Sequence, residues 1–157
     1  MLKILFVCTG NTCRSPLAEA LFTYEAANHR LPDKVFAFSA GLSAVTGEKA
    51  SGPARQMLAR EKIKTLENHS ASNINAEIIE EADLILVMTA DHKRQLLTLY
   101  PHAADKTYLL KEYTNQASIK SDIDDPLGED QEKYLQVLED IRSCIKKLVH
   151  KLKEEQK

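Results

Sequence analysis

A cysteine and an arginine enclose the polar segment CTGNTCR, from Cys8 to Arg14. The apolar run 4–7 comes directly before this segment, and Ser15 and Pro16 begin a helical pattern directly after it. A loop between a strand and a helix can turn its backbone N–H groups inward, and the helix N-terminus adds about half a positive charge at the same place. Such a loop binds phosphate and favours the thiolate form of a cysteine. The pattern therefore predicts a phosphate-binding loop in which Cys8 attacks phosphorus and Arg14 holds the phosphoryl group.

The other residues of this loop suit a turn that closes around a ligand. Gly10 lets the backbone approach the ligand closely. Asn11 is expected to brace the loop, because Asn tolerates a left-handed backbone and its amide can bond neighbouring turns. Ser15 is expected to be the N-cap of the following helix, with Pro16 at the first helical position. The Ser15 hydroxyl either caps the helix only or also donates a hydrogen bond to the sulfur of Cys8.

Phosphoryl transfer to a cysteine also needs a proton donor for the leaving group, and an acidic loop near the C-terminal end of the chain can supply one. The segment 121–128, SDIDDPLG, contains Asp122, Asp124 and Asp125. Without the cysteine loop, these aspartates would be interpreted as a solvated turn. With that loop present, a general acid among them is the better interpretation, and the residues alone leave open which of the three it is.

Four apolar runs alternate with helical patterns along the chain. The runs are 4–7, 35–38, 84–88 and 108–110, and the helical patterns cover 17–24, 53–63, 74–81, 92–99 and 134–152. The last pattern is the clearest, because its apolar residues recur in steps of four and three. This alternation predicts an α/β fold, a doubly wound four-stranded parallel sheet with helices on both faces. Ligands of such sheets bind beyond the carboxyl ends of the strands, where the Cys8 loop falls after the first strand.

The chain as a whole limits the possible partners. Its 157 residues predict a single domain over 1–157, and its net charge of -2 offers no electrostatic attraction to nucleic acid or an anionic membrane. There is neither an apolar run of about 18 residues nor a charged leader followed by an apolar one. Three cysteines, an odd number, fit free thiols in a reducing compartment. We therefore expect a cytoplasmic protein without membrane or nucleic-acid partners.

The remaining cysteines and the histidines suggest no metal chemistry. Cys13 is either a small packing residue or a second thiol within reach of Cys8. Cys144 lies one step off the apolar stripe of the last helical pattern and is expected in the core. The histidines show no ligand spacing with cysteines or carboxylates, so we expect neither a metal nor another cofactor; they are His29, His69, His92, His102 and His150.

These motifs resemble the low-molecular-weight protein-tyrosine-phosphatase family. Segment 8–16 is similar to its signature loop, and the resemblance continues through 17–20, 39–41, 82–84, 88–89 and 125–126, so that it covers essentially the whole chain. The resemblance implies that Cys8 forms a phosphocysteine and that Asp125 is the general acid, which then activates water. It also implies a reversible disulfide between Cys8 and Cys13 under peroxide, which makes Cys8 a redox-sensitive cysteine. The substrate is expected to contact the rest of the loop, namely Thr9, Gly10, Asn11, Thr12, Cys13 and Ser15.

Thr12 bears on the choice of substrate. Tyrosine-specific members of the family generally carry a bulky aliphatic residue there, with aromatic residues around the positions of Ser43 and Leu127. Contact with such aromatic residues stabilises a bound substrate ring by about 1 kcal/mol. Thr12 instead resembles the bacterial protein-arginine-phosphatase branch, because a small hydroxyl leaves room and a hydrogen-bond partner for a planar guanidinium, whose charge Asp125 can pair. That branch also often has aromatic residues at the positions of Ser43 and Leu127, so this chain departs from both branches there.

The sequence thus predicts a protein-arginine phosphatase, with a low-molecular-weight protein-tyrosine phosphatase as the alternative. Arsenate reductases of the same fold need further cysteines around positions 80–90, and this chain has none between Cys13 and Cys144. A non-catalytic phosphate-binding module would lack the nucleophile or the acid, whereas Cys8, Arg14 and Asp125 are all present. We expect a monomeric enzyme that acts on phosphorylated proteins.

Overall fold

The computed structural model describes residues 1–31, 33–116 and 120–155. Its strands are β1 (Leu2–Cys8), β2 (Val35–Gly41), β3 (Leu84–Val87) and β4 (Thr107–Leu109). They form one parallel sheet in the order β2-β1-β3-β4. The predicted four-stranded parallel sheet is confirmed, with each strand within a few residues of its predicted position.

In the described ranges, five of the six α-helices follow the predicted patterns. The six are α1 (Arg14–Asn28), α2 (Gly52–Arg60), α3 (Ala76–Glu81), α4 (Ala90–Leu99), α5 (Leu110–Tyr113) and α6 (Gln131–Glu155). Helix α5 and two short 3₁₀ helices, Thr65–Asn68 and Pro101–Lys106, were not predicted, because segments of four to six residues are too short to show a helical period. Within the described ranges, none of the helices has the length and apolar character that crossing a membrane requires.

Apolar clusters cover both faces of the sheet. Along β1, Ile4 and Phe6 face one cluster while Leu5 and Val7 face the other, and all four side chains are fully buried. This alternation follows from the period of two in a strand. Helices α1, α2 and α6 pack on the first face, and α3 and α4 pack on the second. Cys144 of α6 is fully buried in the first cluster, as predicted.

The carboxyl ends of the strands gather the segments that carry the polar motifs. Cys8, the last residue of β1, is paired with Gly41 at the end of β2. Met88, directly after β3, donates its backbone N–H to Val7 O at 3.2 Å and accepts from Ile123 N at 2.9 Å. The acidic loop, 121–128, is therefore tied to the same edge of the sheet as the Cys8 loop.

Gly41 allows the Cys8 loop to pack directly against the end of β2. A Cβ atom at Gly41 would lie 2.5 Å from Thr9 O and 3.0 Å from Asn11 N. Both are backbone atoms, so neither could give way without moving the loop. Gly10, by contrast, could carry a Cβ atom in ordinary contact, 3.8 Å from the Thr12 hydroxyl oxygen. The close backbone approach within the protein is therefore at Gly41.

We predict that Gly41→Ala will distort the loop and lower both stability and phosphate binding. Overpacking of this kind costs about 1–3 kcal/mol of unfolding free energy. Urea denaturation and the inhibition constant of inorganic phosphate would measure the two effects. Gly52→Ala is the matched control, because a Cβ atom there meets nothing within 4 Å. Equal stability and equal phosphate binding of the two variants would contradict the prediction.

Candidate active site

The segment between Cys8 and Arg14 lies at a strand-to-helix junction. Cys8 ends β1 and Arg14 begins α1, and the two residues are only 3% and 5% exposed. The N-cap of α1 is Cys13, without a side-chain cap, so the prediction that Ser15 is the N-cap was wrong. The helix begins one residue before Ser15, which leaves its hydroxyl free for another partner. That partner is the sulfur of Cys8, 2.9 Å from Ser15 Oγ, which is the contact that the second expected role of Ser15 requires.

The loop carbonyl oxygens accept hydrogen bonds from the protein around the loop. All four bonds are 2.7–3.0 Å long. They run from Leu42 N to Cys8 O, from Ser43 N to Thr9 O, from His69 Nε2 to Asn11 O and from Ser51 N to Thr12 O. In a trans peptide the C=O and the next N–H point in opposite directions, and the described chain has no cis peptide. The N–H groups that follow these carbonyls therefore point the other way, into the concave side of the loop. They form an anion cradle at the N-terminus of α1.

Asn11 holds the loop from within, as predicted. Its φ of 55° is in the left-handed region, and its side chain is fully buried. Asn11 Oδ1 accepts from the backbone N–H of Ser72 at 2.9 Å, which fixes the orientation of the amide. Asn11 Nδ2 therefore donates to both Ser15 Oγ and Ser39 Oγ, each at 2.9 Å.

This amide sets the direction of the hydrogen bonds that reach the sulfur of Cys8. Because Ser39 Oγ accepts from Asn11, its own proton goes to Glu19 Oε1 at 2.7 Å. Ser15 Oγ likewise accepts from Asn11, which leaves its proton for the sulfur of Cys8. A hydroxyl donor at this position stabilises a thiolate. Burial raises the pKa of Glu19, while the bond from Ser39 opposes that shift.

Arg14 connects the loop to the acidic segment. Its Nη1 donates to Ile123 O at 3.0 Å, and its Nη2 lies 3.6 Å from Asp125 Oδ2. The Arg14 side chain is 6% exposed, whereas that of Asp125 is 51% exposed. The guanidinium is therefore held in place beneath an accessible carboxylate.

The three aspartates of the acidic loop have different surroundings. Asp122 Oδ1 accepts from Ala90 N, the first amide of α4, at 2.8 Å. Asp124 is bonded by Lys120 and Lys133, and these bonds lower its pKa to about 2. Only Asp125 of the three pairs with the guanidinium described above, while its Oδ1 accepts from Leu127 N at 3.1 Å.

A family model described as low molecular weight phosphotyrosine protein phosphatase matches residues 3–157. The chain belongs to this family. Its expected nature, a cysteine-dependent phosphatase, is thereby confirmed. The protein-arginine-phosphatase of Geobacillus stearothermophilus is 39% identical over 154 residues, which cover 98% of each chain. The low molecular weight protein-tyrosine-phosphatase PtpB of Staphylococcus aureus is 34% identical over 151 residues, 94% of this chain and 96% of PtpB.

A solved structure of a relative bears on the chemistry of this family. It is a variant of the YwlE arginine phosphatase in which a serine replaces the active-site cysteine and is phosphorylated. It superposes with a TM-score of 0.90 at 38% identity, covering 97% of this chain and 96% of that one.

His92 is a residue of the phosphatase site that sequence reasoning missed, because the histidines were considered only as metal ligands. It is 4% exposed, and its Nε2 lies 2.8 Å from the Thr9 hydroxyl oxygen. Burial, helped by the charge of Arg14, lowers the pKa of His92 to about 4. Its position in the first turn of α4, after the N-cap Thr89, was the available signal, because it places a polar side chain at the carboxyl edge of the sheet.

Cys13 contributes its backbone to the loop of the phosphatase, while its side chain is buried in the core. Burial, with a smaller contribution from Cys8, raises the pKa of the Cys13 thiol to about 12. Cys8, Cys13 and Cys144 are free thiols, and the disulfide between Cys8 and Cys13 stays a prediction. Among the described residues, no three His, Cys, Asp or Glu side chains are grouped as metal ligands.

We predict that His92 makes the phosphatase sensitive to acid. An unfolded histidine titrates near pH 6.5 and His92 in the folded chain near 4, so acid adds a proton to the unfolded state first. The stability present above pH 6.5 is therefore lost as the pH falls toward 4, by at most about 1.4 kcal/mol per pH unit. Urea denaturation at pH 7, 6 and 5 should show that His92→Gln loses less unfolding free energy than the wild type as the pH falls. His102 is exposed, so His102→Gln should lose as much unfolding free energy as the wild type. Equal losses between pH 7 and 5 in all three proteins would rule the prediction out.

Proposed function

We propose that this chain is a protein-arginine phosphatase, which hydrolyses phosphoarginine in proteins through a phosphocysteine intermediate. The observation that carries the proposal is Thr12, a small, partly exposed hydroxyl residue on the phosphate loop. A planar guanidinium fits beside such a residue and can bond to its hydroxyl, whereas an aromatic ring gains no apolar wall from it. The similarity to the Geobacillus protein-arginine-phosphatase supports this substrate class.

In the first step, the thiolate of Cys8 attacks phosphorus and the bond between phosphorus and the guanidine nitrogen breaks. The inward N–H groups of the loop and the guanidinium of Arg14 stabilise the charge on the phosphoryl oxygens. Asp125, as the carboxylic acid, gives its proton to the departing nitrogen. The products of this step are phosphocysteine and an unmodified arginine side chain.

In the second step, the carboxylate of Asp125 takes a proton from a water molecule, which attacks the phosphocysteine. The sulfur–phosphorus bond breaks, inorganic phosphate forms, and Cys8 leaves as a thiolate. The Ser15 hydroxyl, 2.9 Å from the sulfur, makes this thiolate a better leaving group. The phosphorylated serine of the YwlE variant supports a covalent intermediate at the position of Cys8.

The different environments of the aspartates support Asp125 as the acid. Asp124, whose pKa is about 2, is held as a carboxylate by two lysines and cannot keep a proton to donate. Asp122 is occupied by the amide at the start of α4. Asp125 is accessible to a substrate and lies beside Arg14.

A protein-tyrosine phosphatase is the second candidate, and the similarity to Staphylococcus aureus PtpB favours it. The same residues would act in the same two steps, with a tyrosine oxygen as the leaving group. The cleft offers such a ring little aromatic contact, because the residues on the flanking loops are Ser43 and the 67% exposed Leu127.

We predict that Asp125→Asn will lower kcat by about a hundred- to ten-thousand-fold, the usual effect of removing a placed proton donor. The loss should be largest for substrates with poor leaving groups. Asp124→Asn is the control and should keep most of the activity, while Cys8→Ser sets the baseline without the nucleophile. If Asp124→Asn lowers kcat more than Asp125→Asn does across substrates, the assignment of the acid to Asp125 is wrong.

We also predict that Thr12→Ile will shift specificity from phosphoarginine toward phosphotyrosine. The substitution removes a hydrogen-bond partner and adds an apolar surface, and a tenfold change in the ratio of kcat/KM values needs only about 1.4 kcal/mol. The measurement is that ratio for phosphoarginine and phosphotyrosine peptides in both proteins. A wild-type ratio that favours phosphotyrosine, or one that does not move on substitution, would support the tyrosine phosphatase instead.

A further inference from the structure

The first turn of α4 contacts both loops of the active site. His92 reaches the phosphate loop through the 2.8 Å contact between its Nε2 and Thr9 Oγ1. Its backbone N–H is bonded to the side chain of the N-cap Thr89 at 3.0 Å, which fixes its place in the helix. Two residues earlier, the amide of Ala90 holds Asp122 of the acidic loop. One helical turn therefore bonds to both loops.

The surroundings of His92 determine which of its ring nitrogens carries hydrogen. In the part of the chain that the structure describes, His92 Nδ1 is the one buried side-chain nitrogen or oxygen without a hydrogen-bond partner. The ring is neutral at neutral pH, because its pKa is lowered to about 4, and a neutral imidazole carries one N–H. A hydrogen on Nδ1 would be a buried donor without an acceptor, which is rare in folded proteins. The hydrogen therefore lies on Nε2, and His92 donates to Thr9.

This direction decides what the Thr9 hydroxyl can do. When Thr9 Oγ1 accepts from His92, its own proton is left for another acceptor. An unprotonated phosphoryl oxygen can only accept a hydrogen bond, so a hydroxyl that points its proton toward it attracts it, and one that points its lone pairs toward it repels it. Thr9 is exposed and directly follows Cys8 in the phosphate loop. The Thr9–His92 pair thus lies beside the groups that handle the phosphoryl group.

We propose that His92 is a positioning residue, which turns the Thr9 hydroxyl so that its proton is donated to a phosphoryl oxygen in the loop. Thr9 then adds a side-chain donor to the backbone donors of the cradle. The proposal rests on the phosphatase site proposed above, but it does not depend on whether the substrate is phosphoarginine or phosphotyrosine.

The test uses inorganic phosphate as a competitive inhibitor and para-nitrophenyl phosphate as a general substrate. Thr9→Val should raise the inhibition constant of phosphate about tenfold, as expected for one lost hydrogen bond to a charged group. Thr9→Ser keeps the hydroxyl and should restore most of the phosphate binding that Thr9→Val loses. His92→Gln keeps an N–H at a similar place and should likewise restore most of the binding that His92→Leu loses. His92→Leu removes it and should match Thr9→Val.

A double variant separates positioning from a merely structural role. If His92 acts through Thr9, Thr9→Val combined with His92→Leu should bind phosphate no more weakly than Thr9→Val alone. Thr98→Val, an exposed threonine of the same helix whose hydroxyl bonds Arg94 O, is the matched control and should leave the inhibition constant unchanged. Circular dichroism would establish that each variant is folded. If His92→Leu does not fold, His92→Phe, which keeps an aromatic ring but has no N–H donor, takes its place in both comparisons.

Two results would overturn the proposal. One is an unchanged inhibition constant in either Thr9→Val or His92→Leu. The other is that His92→Leu weakens phosphate binding by the same factor in the Thr9→Val variant as in the wild type. Failure of the proposed function would look different from both results. The wild type would then prefer phosphotyrosine peptides, while the expected inhibition constants of phosphate in the variants would still be found.

Discussion

The outward bonding of the loop carbonyl oxygens is the constraint on which the active site depends. A backbone turn can present several N–H groups to an anion only if the carbonyls that alternate with them accept hydrogen bonds from donors on the other side. Here those partners come from the segments after β2 and before α2, and from His69. The contact is possible because Gly41 brings no side chain between β2 and the loop. Phosphate recognition is thus a property of the packing around the loop as much as of the loop itself.

The polar groups beneath the loop form a chain with a defined direction. A single amide, that of Asn11, is oriented by the backbone of Ser72 and determines where the hydroxyl protons of Ser15 and Ser39 go. Buried polar groups are expensive when unpaired, so a fully bonded chain of this kind specifies one arrangement. Its consequence for catalysis is that Cys8 receives a donor at its sulfur whenever it is a thiolate.

Several separate interactions dock the acidic loop, in addition to the bond between Ile123 N and Met88 O. Asp122 bonds the start of α4, Asp124 bonds two lysines, and the carbonyl of Ile123 bonds Arg14. These contacts leave Asp125 as the carboxylate that is both accessible and close to the guanidinium. The order of strands in the sheet explains the proximity, since β3 is next to β1 and its following turn meets both loops.

Local patterns were enough to predict the strands, the longer helices and the loop from Cys8 to Arg14, because hydrophobic period and residues adjacent in the chain encode them. The proposed general acid is different, because residue types alone leave three aspartates within four positions, and the family resemblance rather than a local pattern pointed to Asp125. The structure adds that Lys120, Lys133 and Ala90 occupy the other two. The roles of His92 and Gly41 depend on contacts with residues far away in the chain, which no local pattern encodes. The sequence by itself therefore determined the fold class and the nucleophile loop. Only the tertiary structure decided how the three aspartates differ in their partners and which buried groups orient the loop, because hydrogen-bond direction and burial arise from packing between distant segments.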